Sequence, residues 1–388
     1  MCNKINFNDP LQVKKLKIGI LGSQGIPNHY GGFEQCAEYL ALGLSRKGHE
    51  VWVYNRHNHE CSEDTWNGVN IIHCRNPDRI LGAIGQFVYD YLCLKDAGKR
   101  SFDILLQLGY TSSSVWYRMW PRDCTNIVNM DGMEWKRTKY NEYVKQFLKY
   151  AEKWAVKHAD LLIADSPVIK NYLENRYGKS AVFIPYGAEI FDDPDVNIIR
   201  EYRLEPFGYH LLIARLVPEN NIEMIIKGII AARSAKPLVI IGNTDNRFGL
   251  ALKRKYAQND HIRFLGGIYD KHVTNDLRYY SSIYFHGHTV GGTNPSLLEA
   301  MACSSLIAAH NNAFNKTVLG DDAFYFRDTD QIANIINTVG DKSGYSQRLN
   351  NNIAKINTCY NWPNITDEYE KVFFDAIAMN KTGDAPHP

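Results

Sequence analysis

Short apolar runs alternate with longer amphipathic stretches along this chain, and the alternation starts afresh halfway. Leu16 to Gly22 (LKIGILG) reads as a buried strand with basic flanks. A glycine-rich turn follows, then a helix from about Phe33 to Lys47 that Gly48 stops, then a second strand, Val51–Arg56. Strand, helix and strand in this order predict a parallel sheet. Further short apolar runs lie at Ile71–Cys74, Ile104–Leu108, Thr125–Met130, Leu161–Ala164 and Val182–Ile184, with helices expected at about Leu81–Lys99 and Tyr140–His158. The pattern then restarts with a strand at His210–Leu216, a helix at Ile222–Ser234 and a strand at Pro237–Asn243. IRFLG, SIYFHG and SLIAAH repeat it. Two such arrays predict two doubly wound α/β domains facing a cleft, residues 16–190 and 208–362. They meet at IPYGAEIFDDPDV, Ile184–Val196; residues 1–15 form an extension, and Lys381–Pro388 reads as a frayed end.

The bulk numbers agree. A chain of 388 residues suits two cores, and 45% hydrophobic with 22% charged residues is the range of a globular protein. A formal charge of +2 gives no footing for nucleic acid. The N-terminal MCNKINFNDPLQVKK lacks the apolar segment of a secretory signal, and no apolar run is long enough to span a bilayer. Eight scattered cysteines with no CxxC pair argue against a zinc site or a disulfide framework. The expected location is the cytoplasm.

In open α/β sheets, ligands sit beyond the carboxyl ends of the strands. Three segments fall there. Gly22–Glu34 (GSQGIPNHYGGFE) opens the first helix. Glycines let backbone N–H groups approach an anion, and a helix N-terminus favours negative charge by roughly 0.3–1 kcal/mol. The paired Gly31 and Gly32 come too late for a GxGxxG dinucleotide loop, so the alternative is a tight structural turn. His286–Ala302 (HGHTVGGTNPSLLEAMA) starts a helix with Asn294 as cap and Pro295 in its first turn. N–H groups around Thr293 to Leu297 would face an anion, and Glu299 could hold two ribose hydroxyls; the alternative is a capped buried helix. Ala214–Asn221 (ARLVPENN) places Arg215 at a strand end, where a guanidinium can take a diphosphate bidentately, or lie on the surface.

Together these segments resemble glycosyltransferase family 4, the retaining GT-B enzymes. YGGFEQCAEYLALGLSRKGHEV looks like its N-terminal glycine loop, IPYGAE like its hinge, and ARLVPENN and GGTNPSLLEAMA like its donor segments. YNWPNITDEYEKVF, from Tyr360, looks like the C-terminal helix that returns to the N-terminal domain, here 363–380. The resemblance runs from about Lys17 to Phe374. GSQGIPNHYGGFE with VNMDGMEWKR, Val128–Arg137, looks like the rhamnosyltransferase subgroup of bacterial surface-polysaccharide synthesis. The chain departs twice: Asn220 stands where the family usually has a lysine, and Gly291 where it has the first of two glutamates, the second being Glu299.

What the resemblance implies is a hexosyl transfer with retained configuration and no metal. The donor is a nucleotide-diphosphate sugar (dTDP-, UDP- or GDP-linked), with L-rhamnose as the expected sugar. The acceptor is a saccharide, lipid-linked on a polyprenyl carrier. Asp131, Arg215 and Glu299 are the expected catalytic residues. Donor contacts are expected from Gly31, Gly32, Arg215, Asn220, His288, Gly292, Thr293, Asn294, Pro295, Ser296, Leu297 and Glu299. His57, Glu134 and Arg137 are candidate acceptor contacts. The alternative for Asp131 is an Asx turn with Gly132. The basic aromatic segments Tyr143–Asp160 and Ser112–Arg122 could meet a membrane at its inner face, the alternative being a domain helix and its neighbouring loop. Asp192, Asp193 and Asp195 read as a solvated linker, and His57, His59 and Cys61 as a polar loop, rather than metal ligands. The rival readings are an oxidoreductase, which the end of the second strand at Asn55–Arg56 disfavours, a GT-B nucleotide-sugar epimerase, and a non-catalytic sugar-nucleotide-binding subunit.

Overall fold

The computed structural model describes residues 14–29, 31–137 and 139–382. The expected extension 1–15, apart from its last two residues, lies outside them, as does the expected frayed end beyond residue 382. Eight strands form the first sheet: β1 Lys17–Leu21, β2 Glu50–Arg56, β3 Thr65–Trp66, β4 Val69–Cys74, β5 Ile104–Leu108, β6 Thr125–Asn129, β7 Leu161–Ala164 and β8 Val182–Phe183. Their order is β3-β4-β2-β1-β5-β6-β7-β8, parallel except for β3 against β4. Six form the second: β9 His210–Ile213, β10 Leu238–Ile241, β11 Ile262–Gly266, β12 Ile283–His286, β13 Ile307–His310 and β14 Phe324–Phe326. Their order is β11-β10-β9-β12-β13-β14, parallel throughout.

Parallel strands covered by helices on both faces must be apolar on both. Ile104, Leu106 and Leu108 pack into one core layer while Leu105 between them packs into another, and all four are fully or nearly fully buried. Leu211 and Leu212 divide the second sheet in the same way. One layer runs on between the domains through Ile184, Tyr186 and Ala188 to Trp362 and Ile365. The helix Trp362–Thr382 seats on the first domain. Its Glu370 meets Lys47 and His49 at 2.7 Å each, and Trp362 stacks on Tyr39 at 4.7 Å between ring centres.

Local chemistry explains where elements differ from expectation. The single helix expected over Leu81–Lys99 is two, Asp78–Leu81 and Ile84–Ala97, because Gly82 between them sits at φ 54 and ψ −132. The strand expected to reach Leu216 stops at Ile213, since residues beyond it turn back through Pro218–Asn220. A helix at Pro167–Tyr177 adds to the expected ones: Ser166 caps it, Pro167 opens it and Gly178 closes it in the left-handed region.

Candidate active site in the interdomain cleft

In the second sheet β9 lies between β10 and β12, so the chain leaves β9 and β12 in opposite directions and opens a crevice at their carboxyl ends. Arg215 stands there, exposed, in no ion pair among the described residues. The loops on either side are tied to each other. Asn220 donates to the Arg215 carbonyl at 2.7 Å, Asn221 to the Gly287 carbonyl at 2.7 Å, and the Thr289 hydroxyl to the Glu219 carbonyl at 2.8 Å. The Asn220 amide thus braces the arginine's backbone. His286 and His288 stack behind it with ring centres 4.3 Å apart. Burial pushes the His288 imidazole down to about 3, helped by Arg215 and Arg137, and pushes His286 well below the usual imidazole range. Neither His286 ring nitrogen, nor Nδ1 of His288, has a hydrogen-bond partner among the described residues.

The helix Pro295–Ala302 begins beside them. Its cap Asn294 takes the Ser296 N–H on its side chain and the Leu297 N–H on its carbonyl, each at 3.0 Å. Proline has no N–H, so of the expected donors from Thr293 to Leu297 only Thr293 and Asn294 are not spent on starting the helix. Glu299, one turn in, is held at both oxygens: Arg278 donates at 2.6 Å and Gln35, from the other domain, at 3.1 Å.

On the opposite wall, the loop after β1 closes on itself. Gly22 sits at φ 101, and a Cβ there would lie 2.2 Å from the Leu108 carbonyl oxygen, so the turn needs glycine. The Glu34 carboxylate receives the Gln24 N–H at 2.7 Å, with the Gly31 and Glu34 N–H groups also turned to it. Glu34 is 5% exposed and burial raises its pKa. The nest expected to face a diphosphate at Gly31 and Gly32 is therefore filled by the protein's own carboxylate. Gly32 contributes instead by close approach: a Cβ there would stand 3.2 Å from Pro295 of the other domain.

Asp131 follows β6 and Asp165 follows β7. Burial raises Asp131 to about 6, with Glu134 adding to the rise and Arg137 opposing it. Arg137 pairs with Glu134 at 2.5 Å and approaches Glu219 of the other domain at 3.9 Å. The domains touch here. Gly132, at φ 63, faces Gly291; the Thr293 hydroxyl donates to the Asp165 carbonyl; Gly292 lies so near Asp165 that a Cβ would be 1.9 Å from its carboxyl oxygen. Arg215, Asp131, Glu134, Arg137, His288, the 291–297 loop and Glu299 are thus gathered about one cleft. His57 is not among them: it accepts the Asn76 N–H at 2.9 Å and lines a separate pocket with Asn58, Arg75, Asn76, Pro77, Arg79 and Ile80.

Two further residues of the site, Asp165 and Arg278, lie outside the motifs singled out in the sequence, and a third, Gln35, lies within the glycine-loop motif but has no role assigned there. Asp165 carries a readable signal, an acid directly after an apolar run as Asp131 is, and here also before a Ser-Pro helix start. Gln35 and Arg278 carry none, since their role depends on helices from different domains meeting at Glu299. Among the described residues no group of three or more His, Cys, Asp or Glu side chains could hold a metal ion, and no helix is long and apolar enough to cross a membrane.

Residues 15–189 match a family described as Domain of unknown function (DUF1972), and residues 200–356 match the family Glycosyl transferases group 1. No curated protein matches the chain. Among solved structures, sucrose-phosphate synthase from Thermosynechococcus elongatus superposes with a TM-score of 0.78 at 16% identity, over 94% of this chain and all of that one. HepE from Anabaena, in complex with UDP and glucose, gives 0.74 at 15% identity, over 93% of this chain and 100% of that one. The catalytic domain of starch synthase IV from Arabidopsis thaliana, bound to ADP and acarbose, gives 0.71 at 12% identity, over 94% and 100%. The likenesses establish the architecture, a GT-B fold, and within it residues 200–356 match the family Glycosyl transferases group 1.

Proposed function

We propose that the chain is a retaining glycosyltransferase. It moves L-rhamnose from dTDP-L-rhamnose to a lipid-linked saccharide on the cytoplasmic side of the membrane, in the making of bacterial surface polysaccharide. The observation that carries the transfer reading is Arg215: a guanidinium in no ion pair among the described residues, at the crevice between β9 and β12 of the domain matching glycosyl transferases group 1. The structural neighbours solved with UDP and with ADP support a nucleoside-diphosphate donor. The choice of rhamnose rests on the likeness of GSQGIPNHYGGFE and VNMDGMEWKR to the rhamnosyltransferase subgroup.

In this reading the bond between sugar and diphosphate loosens first, leaving cationic character on the sugar and extra negative charge on the diphosphate. Arg215 and the Asn294 N–H group stabilise the departing diphosphate. Glu299, released from Gln35 as the cleft opens, takes ribose hydroxyls. Asp131 orients the acceptor hydroxyl, whose proton passes to a departing phosphate oxygen, so no metal is required. Tyr143 and Tyr150, exposed on the lysine-bearing helix Glu142–His158, would rest against the membrane carrying the acceptor.

Thermal unfolding with dTDP, UDP, GDP, ADP and NAD⁺ tests this. A ligand at about 100 times its dissociation constant stabilises the fold by roughly 2.7 kcal/mol. A shift with dTDP that Arg215→Ala abolishes is the expected result. A shift with UDP or GDP alone overturns the rhamnose donor, and one with NAD⁺ alone overturns the transferase. Binding without turnover on any acceptor would favour the non-catalytic subunit.

A further inference from the structure

Strands β6 and β7 run side by side, with Ile127 opposite Leu161 and Asn129 opposite Ile163. The Met130 N–H continues the pairing to the Ile163 carbonyl at 2.7 Å. Two residues past the last pair, the same register sets Asp131 opposite Asp165, and neighbouring strands lie about 4.8 Å apart. Two carboxyl groups therefore leave the sheet edge together. Asp165 is 0% exposed, and no hydrogen bond of good geometry reaches its carboxyl oxygens, although the Thr293 N–H of the other domain and its own N–H act on them. Gly292 and Thr293 close over it from the other domain.

A buried carboxylate without a well-formed donor is costly, and two adjacent carboxyls, one fully and the other partly buried, resist ionising together. One proton between them resolves both problems. The surroundings decide where it sits. Glu134, Arg137 and Arg215 act on Asp131, so the cations lie on its side. Around Asp165 the titratable groups besides Asp131 are Cys36, Tyr186 and Tyr369, all neutral at pH 7. Tyr110, also neutral, faces Asp131.

We propose that Asp165 is a positioning residue for Asp131: its protonated carboxyl donates a hydrogen bond to the Asp131 carboxylate and holds it ionised and oriented in the cleft. The titration directions agree. Burial and Asp131 push Asp165 far above the carboxylate range, while the bond from Asp165 opposes the rise of Asp131 to about 6. The inference rests on the reading of Asp131 as the acid at the reacting centre, but its first readout does not.

The experiment is a ¹³C-carboxyl NMR titration of Asp131, assigned by its loss in Asp131→Asn, in the wild type, Asp165→Asn and Asp165→Ala. The side-chain amide introduced by Asp165→Asn still donates, so in that variant Asp131 should titrate at or below its wild-type midpoint. Alanine removes the donor, and the midpoint should rise by about one unit. The acid limb of kcat against pH should move with it, lowering kcat at pH 6 about fivefold from ionisation alone, with the donor KM little changed. Equal midpoints in the wild type and in folded Asp165→Ala would overturn the proposal, as would Asp165→Asn behaving like alanine. A shifted midpoint in a protein that transfers no sugar would leave the pair standing and sink the transferase reading instead.

Discussion

Each domain sets an arginine at the carboxyl end of a parallel strand, and the protein uses the two differently. Arg56 ends β2 and is engaged at both terminal nitrogens: its guanidinium donates to Gln24 at 3.0 Å, Asp78 at 3.1 Å and Gln86 at 2.7 Å. Beside it the glycine loop is filled by Glu34. Arg215, after β9, has its backbone braced by Asn220 and its charge left to the cleft. A strand–turn–helix unit offers N–H groups and a positive end in either domain, but that offer does not say whose anion is received. Where an acid lies in the first turn of the same helix, as Glu34 does, the protein supplies the anion itself.

If that difference is real, the two arginines should fail in opposite ways, and this is the largest effect expected. Arg215→Met should cost about 2.7–4 kcal/mol of transition-state stabilisation, roughly 10²–10³ in kcat, by analogy with loss of one oxyanion donor. Its unfolding free energy should change by less than about 0.5 kcal/mol, as for an unpaired surface residue. Arg56→Met should leave nucleotide affinity nearly intact and lose about 1.5–3 kcal/mol of stability, the scale of a hydrogen bond to a charged group. Urea unfolding and nucleotide titration of both variants decide it. The reverse pattern would mean that the N-terminal loop is the diphosphate site.

The sequence carried the architecture because architecture depends on patterns that repeat. Within β1 and β9 the runs IGIL and LLI are apolar at every position, which only a strand covered on both faces requires. It also carried Asp131, Arg215 and His288 to strand ends. What it could not carry was how neighbouring groups use up each other's valences. Asn220 read as a ligand contact by position, yet its amide is spent on a backbone carbonyl. Ser296 and Leu297 offered N–H groups that the cap Asn294 takes. His57 shared a polar loop with plausible contacts but faces a different pocket. The contact of Gln35 with Glu299, 264 positions away, exists only once the domains meet.

A second pair of substitutions sharpens the contrast at intermediate size. Glu34→Ala empties the N-terminal nest and leaves the Gln24 N–H without its partner, a loss of about 1–3 kcal/mol seen in denaturant unfolding. Gly292→Ala strikes the other loop, where the new methyl would meet the Asp165 carboxyl at 1.9 Å. The cost should again be about 1–3 kcal/mol, but spent on keeping the domains apart. Small-angle scattering should then show a larger radius of gyration for Gly292→Ala and no change for Glu34→Ala. Equal radii would mean that the loop yields locally and the cleft still closes.

The effect smallest per unit change is that of pH, and it has opposite signs on the two walls. Asp131, raised to about 6, binds a proton more readily folded than unfolded, so its contribution to stability is present at low pH and is lost as pH rises from about 4 to 6. His288, lowered to about 3, is the mirror case. Between about pH 6.5 and 3 the unfolded imidazole takes a proton that the folded one refuses, so stability falls as pH falls, by up to about 1.4 kcal/mol per unit for one full proton. His210, lowered to about 4 by burial, acts the same way over a narrower span. Unfolding free energy measured from pH 7 to 4 should therefore fall less steeply in His288→Asn and more steeply in Asp131→Asn than in the wild type. The first change removes a proton refused by the folded state, and the second removes one accepted by it. Parallel curves for all three proteins would mean that water reaches both groups, and with it that the cleft stands open in solution.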